Sequence, residues 1–461
     1  MKSSATNREL HTENENCTLS MKERIGYGVG DFASNMMYAP LHSFVSFFLT
    51  DIAGIGAGIV GTIMLVSRLL DGGSDLVVGV LMEKIRSKHG KARPWLLWWC
   101  VPYAISLILL FTAPDFSMTG KIIYAFLVYN LAATVTFTAI NLPFGALAAM
   151  MTRNQRERGY LNVSKMFFAY VGQLLVNVAT LPLVAYFGND KRAWQITFCI
   201  YGLLSVIFFL ITFFSTKERV RDENAEKGEK TNIKRALKSL VKNKYWLILV
   251  AVFFLFNFGK ALIGVNVYYA KYVMNDDSIV GTLSFFQIGA SLVTFLCTAQ
   301  LLKMMNKQKI AMLGVIISFI GYAMVLFAPT SYAMLYISSV VKGVGNAALC
   351  GVMYGMLADT VEYNEWKSGI RAEGLVFSAN SIGIKIGTGL GAAALGWILA
   401  FFGYVSSGAA QPASAVFGVK VMFLYVPLAV YGILAVVMRF YKLDEEYDQV
   451  VKELADRKRG N

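Results

Sequence analysis

The sequence has few charges for its length: Asp, Glu, Lys and Arg make up 16% of its 461 residues, against 56% hydrophobic ones. No water-soluble fold of this size hides that much apolar surface, so two or three soluble domains are excluded. A bilayer absorbs it, at roughly 20 apolar residues per helical span. Histidine is scarcer still: His11, His42 and His89 lie far apart, which leaves a histidine-based zinc site without ligands. The five cysteines, Cys17, Cys100, Cys199, Cys297 and Cys350, are odd in number and unclustered. Neither a disulfide framework nor a thiolate metal site is expected from them. The first 25 residues are polar and lack an apolar core, so no cleaved signal peptide is expected there.

What charge there is leans basic, with a formal net charge of +14. That excess lies in short runs between apolar blocks, the pattern of loops facing anionic lipid and cytoplasm rather than of a nucleic-acid surface. The apolar blocks fall near 27–50, 58–82, 95–114, 122–151, 161–187 and 194–215, then near 245–273, 280–303, 310–328, 331–358, 374–402 and 418–440. Between the two sets, residues 216–244 hold ten Lys/Arg and five Asp/Glu and no span-length apolar run. The expected layout is therefore a tail (1–25), a six-helix lobe (26–215), a cytoplasmic linker (216–244), a second six-helix lobe (245–440) and a tail (441–461). With the N-terminus inside, cytoplasmic segments carry about 33 of the 43 basic residues and outer loops about five. Both termini are expected to be cytoplasmic.

Six plus six helices about a charged linker is the plan of two-lobed secondary transporters, whose substrate site is expected between lobes near the midplane. A channel would need symmetric pore-lining elements. A membrane enzyme would need acids or metal ligands clustered at a membrane face, and a sensor has no appended domain to support it.

Ionisable residues inside spans cost at least ~2.5–3.5 kcal/mol on insertion scales, so each needs a partner or a task. In LVSRLLDGGSDLVVG, Arg68, Asp71 and Asp75 stand at i, i+3 and i+7 on one helix face. Two carboxylates so close in low dielectric cannot both stay ionised without a cation or proton. The spacing points to an ion or proton site; the alternative is a salt bridge from Arg68 to one aspartate, with the other reaching water. Gly72, Gly73 and Ser74 leave room for close helix packing. Asp31, in GYGVGDFASN, either lines a polar cavity or bonds a neighbouring helix. In TFTAINLPFGAL, Pro143 removes a backbone hydrogen bond and frees the carbonyl of Ala139. Thr138 and Asn141 offer neutral oxygens one turn apart; they either complete a cation shell with Asp71 and Asp75 or satisfy each other at a plain proline kink.

Four lysines also fall in spans: Lys165, Lys260, Lys342 and Lys385. Lys342 reads as a side chain snorkelling to a membrane edge, and Lys260 either snorkels likewise or adds positive charge to a cavity. Lys385 is flanked by Gly383, Gly387 and Gly391 at helical spacing, which predicts tight helix contact and a lysine facing protein or a cavity.

Taken together, Arg68-x-x-Asp71-x-x-x-Asp75, RSKHGKARPW (Arg86 to Trp95), INLPFGAL, ADTVEYNEWKSGIRAEG (Ala358 to Gly374) and Lys385 resemble the glycoside–pentoside–hexuronide:cation symporters. This is the melibiose- and glucuronide-carrier branch of the major facilitator superfamily. The resemblance runs from about Ile25 to about Tyr441. It implies an all-α polytopic protein of twelve transmembrane helices in two six-helix lobes, moving a small sugar or glycoside with H⁺ or Na⁺. It implies no cofactor and no enzymatic chemistry, and a monomer in a bacterial inner membrane. Asp71 and Asp75 match the family's cation-binding acid pair and Thr138 its hydroxyl ligand, with Lys385 nearby. Asp359, Glu362 and Arg371 fall in its cytoplasmic gating loop, where inward-side salt bridges are expected. The sequence departs from the melibiose branch where that branch holds sugar. Asn35 and Asn141 replace its two acids, Gly145 its tryptophan, and Met166 or the adjacent Lys165 stands at its arginine. Asn141 is similar to glucuronide-type members. Asn35, Asn141, Lys165 and Lys385 are thus the candidate sugar contacts, with Asp31 and Arg68 supporting; the two amides and the lysines suit a hexuronide, and the amides alone a neutral pentoside or hexoside.

Overall fold

The computed structural model describes residues 18–84, 87–220, 233–370, 373–406 and 410–459. These residues are helical with short connections, and no strand occurs among them. Six long helices come first: α1 (Met21–Ser43), α2 (Ala57–Lys84), α3 (Arg93–Leu110), α4 (Met118–Met151), α5 (Gln155–Tyr186) and α6 (Lys191–Ser215). The short α7 (Ile233–Val241) leads into six more: α8 (Lys244–Met274), α9 (Ile279–Met304), α10 (Lys307–Phe327), α11 (Tyr332–Ser368), α12 (Glu373–Phe401) and α13 (Ala413–Arg439). A polar helix, α14 (Leu443–Arg459), follows. The described residues divide into two compact units, the first six long helices with Ser406 in one and the remaining helices in the other.

Local sequence explains where the helices begin. Ser20 and Glu23 form a reciprocal capping box at α1, and Asn154, Asp190, Asn243 and Ser331 accept the first amides of α5, α6, α8 and α11. Ten of the long helices are apolar enough to cross a membrane by length and composition. The two that fall short, α1 and α2, carry Asp31 and the Arg68–Asp71–Asp75 set, so polar residues lower their hydropathy. Large apolar side chains point outward, among them Phe214 at 73% and Leu203 at 64% exposed, a surface that lipid covers and water does not favour.

In the first unit α1 lies along α5 and α6, and α3 packs on α6 and α4. Small residues permit the approach: a methyl at Gly172 would sit 3.1 Å from the Phe32 carbonyl oxygen. In the second unit α11 packs on α9 and α10, and α8 on α12 and α13. Gly314 and Gly345 each face the other helix's backbone. Gly387 and Gly391 abut the carbonyls of Phe254 and Phe258, which is the tight contact their spacing predicts. The core here includes Tyr245, Trp246, Leu249, Leu349 and Leu434.

Two expectations change. Lys342 does not snorkel: it is 5% exposed, its ammonium 5.0 Å from the Tyr322 ring centre and 5.3 Å from that of Phe423. Its site lies well inside α11, where the aromatic faces of α10 and α13 stabilise the cation. Gly72 and Gly73 do not serve close packing, because a side chain at either would meet nothing within 4 Å.

Candidate functional site

One turn of α2 and one of α4 build a cluster of oxygens in the first unit. The Thr138 hydroxyl lies 3.3 Å from an oxygen of Asp71 and 3.3 Å from one of Asp75. Ser74 Oγ lies 3.4 Å from the Thr138 hydroxyl and 3.5 Å from the same Asp71 oxygen, while donating to the Asp71 carbonyl at 2.9 Å. Asp71 and Thr138 are buried and Asp75 half-buried. A hydroxyl has one proton, so Thr138 donates to one carboxylate and presents lone pairs to whatever lies between them.

The local backbone positions these groups. Helix α4 opens into a π-turn over Leu131–Thr136, immediately before Thr138, and continues through Pro143. Such turns shift the helix face by a fraction of a turn and are frequent at functional sites. Asn130 Nδ2 donates to Ser67 Oγ at 2.8 Å, pinning the start of that turn to α2. Arg68 lies 3.8 Å from Asp71, with Tyr129 of α4 beside it. Among the described residues no group of three or more His, Cys, Asp or Glu could hold a metal ion.

The other candidates sort differently. Asn141, one turn after Thr138, is half-buried and its side chain makes no hydrogen bond with the oxygen cluster among the described residues. Asn35 donates to the Asp31 carbonyl at 2.8 Å. Asp31 is 8% exposed, and Lys165 of α5 is the cation that acts on it. Lys165 is half-buried, its ammonium 5.3 Å from the Phe144 ring centre. A side chain at Gly145 would meet nothing within 4 Å, so the place of the family's tryptophan is open space. Lys385 is half-buried and Lys260 exposed, both in the second unit.

Asp359 and Glu362 do not lie in a loop. Both belong to α11, which runs unbroken to Ser368: no proline occurs in it, no glycine follows Gly355, and Gly369 in the left-handed conformation ends it. Asp359 pairs with Lys307 at 2.6 Å within the second unit. Arg371 lies outside the described residues.

Three contributors escaped the sequence reading. Ser74 looked like a spacer, although its i+3 spacing from Asp71 was a usable signal. Tyr129 gave none, being one tyrosine among 23. Glu218 lay in the linker, yet its carboxylate accepts the backbone amides of Lys91, Ala92 and Arg93 at 2.8, 2.9 and 2.8 Å. It thereby holds Lys91–Arg93 at the start of α3, where amides point outward and favour an anion.

Residues 26–445 match a family model described as MFS/sugar transport protein. The chain is 32% identical to the isoprimeverose transporter of Lactiplantibacillus pentosus, covering 94% of this chain and 91% of that protein. It is 32% identical to the putative glycoside/cation symporter YagG of Escherichia coli, over 95% of each. A glucuronide carrier protein homolog of Escherichia coli is 27% identical, over 96% of this chain and 97% of that protein. Among solved structures, the nucleoside transporter NupG superposes with a TM-score of 0.66 at 12% identity, covering 91% of this chain and all of that one, a likeness of fold alone.

Proposed function

The chain belongs to the MFS/sugar transport protein family, and on that premise we propose that it is a sodium-driven glycoside symporter that accepts a hexuronide. The family and the fold neighbours are transporters, so the protein is a twelve-helix major facilitator transporter of sugar or glycoside, not an enzyme.

The observation that carries sodium is the oxygen cluster. Two oxygens 3.3 Å apart subtend about 90° at an ion about 2.4 Å from each, a bond length typical of hard, oxygen-ligated cations. Two of the four converging side chains, Thr138 and Ser74, are neutral hydroxyls, ligands that a hard cation uses and a proton bound to one carboxylate does not need. Asp71, Asp75, Thr138 and Ser74 would hold the cation. Without it the pair is costly in the dry intermediate of alternating access, so the empty site resists passage and the loaded one permits it. The cationic loops support both termini being cytoplasmic.

For the sugar, the Lys165 ammonium takes no hydrogen bond or ion pair among the described residues and can receive a carboxylate. The nearby Asp31 charge favours a second reading, a neutral glycoside contacting Asn35 and Asn141. The test is uptake into proteoliposomes over a sugar panel, with and without an imposed sodium gradient. Accumulation of a glucuronide against its gradient only with sodium is expected. Accumulation driven equally well without sodium would overturn the cation assignment.

A further inference from the structure

Asp31 is a carboxylate 8% exposed that accepts no hydrogen bond among the described residues. Its cation lies nearby but not in contact. The Phe144 ring stacks on Tyr27 with centres 4.8 Å apart, and a side chain at Gly30 would run into the same ring. The Lys165 ammonium sits over that ring, which sets it beside the Tyr27–Asp31 turn of α1. Charge balance here rests on one lysine held by nothing but the face of a ring and the field of Asp31.

We propose that Asp31 and Lys165 form an exchangeable pair: a substrate carboxylate that takes Lys165 leaves Asp31 without its counter-charge, and Asp31 then binds a proton from solution. This rests on the hexuronide reading above and adds to it a second, substrate-dependent ion. The balance is simple. The arriving carboxylate brings one negative charge, and the proton converts the Asp31 carboxylate to its neutral acid, so the turn returns to its former net charge. A neutral glycoside leaves Lys165 on Asp31 and recruits no proton. Burying a carboxylate with neither partner nor proton is the alternative, and it is the expensive one.

Other titratable groups facing Asp31 are few. Tyr27 stands on the same helix, and Tyr103 reaches from α3 to donate to the Ser34 carbonyl at 2.5 Å. Helix α4 contributes Phe144 and α6 the Thr212 methyl, neither of which titrates. Both tyrosines are neutral near pH 7 in their ordinary range, which leaves Lys165 as the charge that decides the state of Asp31.

The experiment is calorimetric binding to the purified full-length protein at pH 7.5 and saturating sodium, repeated in buffers of different ionisation enthalpy. The probes are a phenyl glucuronide and the matching phenyl glucoside. The slope of observed heat against buffer enthalpy reports proton uptake, expected at about one proton per glucuronide and about zero per glucoside. Asp31→Asn should still bind the glucuronide with a slope near zero, and Lys165→Gln should erase the difference between the sugars. Equal slopes for both sugars in the unmodified protein, or an unchanged glucuronide slope in Asp31→Asn, overturns the exchange. Binding of neither sugar overturns the substrate class and the proposal with it, whereas binding of both with equal slopes overturns the exchange alone.

Discussion

Replacing Thr138 with valine removes one oxygen and little else. The side chain is buried at 4% exposure, and valine keeps the β-branched shape, so α4 and its packing on α2 should persist. What disappears is the hydroxyl 3.3 Å from each of two carboxylates. A hydrogen-bonding group facing a charge is worth about 1.5–3 kcal/mol, and 1.4 kcal/mol is tenfold in affinity. The sodium concentration for half-maximal glycoside uptake in proteoliposomes should therefore rise about 10- to 100-fold, while the maximal rate at saturating sodium stays close to that of the unmodified protein. Thr138→Ser, which retains the oxygen, should restore most of the affinity. A valine variant with unchanged sodium dependence would refute the argument that this oxygen ligates the coupling ion.

Four further outcomes are expected. Asp75→Cys should express and insert yet fail to accumulate sugar against a gradient; persistent concentrative uptake would remove Asp75 from the cation site. Lys165→Gln should equalise the inhibition of uptake by a glucuronide and its neutral glucoside, and equal inhibition in the unmodified protein would exclude the charge argument. Gly387→Val should drive a side chain into the Phe254 carbonyl between α12 and α8, costing about 1–3 kcal/mol and lowering the melting temperature in detergent. The control for that variant is Gly73→Ala, which lies in open space and should leave the melting temperature unchanged. At the N-terminal end of α1, burial pushes the Glu23 carboxyl up, but hydrogen bonds from Arg219 and Ser20 outweigh it and hold the group below its usual range. A lowered value means stability present at neutral pH and lost as pH falls through the folded value, so the melting difference between the unmodified protein and Arg219→Gln should shrink below the ordinary glutamate range. A difference that stays constant with pH would show that the pair does not stabilise through charge.

The sequence by itself determined the class, the number of spans and the acid pair. These follow from local rules: apolar run length against bilayer thickness, the distribution of lysine and arginine, and helical spacing, which needs no tertiary contact to put Arg68, Asp71 and Asp75 on one face. Tertiary structure decided which groups meet across helices. Thr138 meets the aspartates across the gap between α4 and α2, where bonds from Asn130 and Thr134 to Ser67 hold a π-turn over Leu131–Thr136 against α2. Lys342 lies among aromatic rings instead of at a membrane edge, because Tyr322 and Phe423 reach it from helices distant in sequence. Lys165 finds Asp31 only because α1 and α5 pack closely enough, through Gly28 and Gly172, to bring a residue 134 positions away to the same turn. Periodicity is a property of one helix; the meeting of charges in a membrane is a property of pairs of helices, and it was decided by where small residues let two backbones approach.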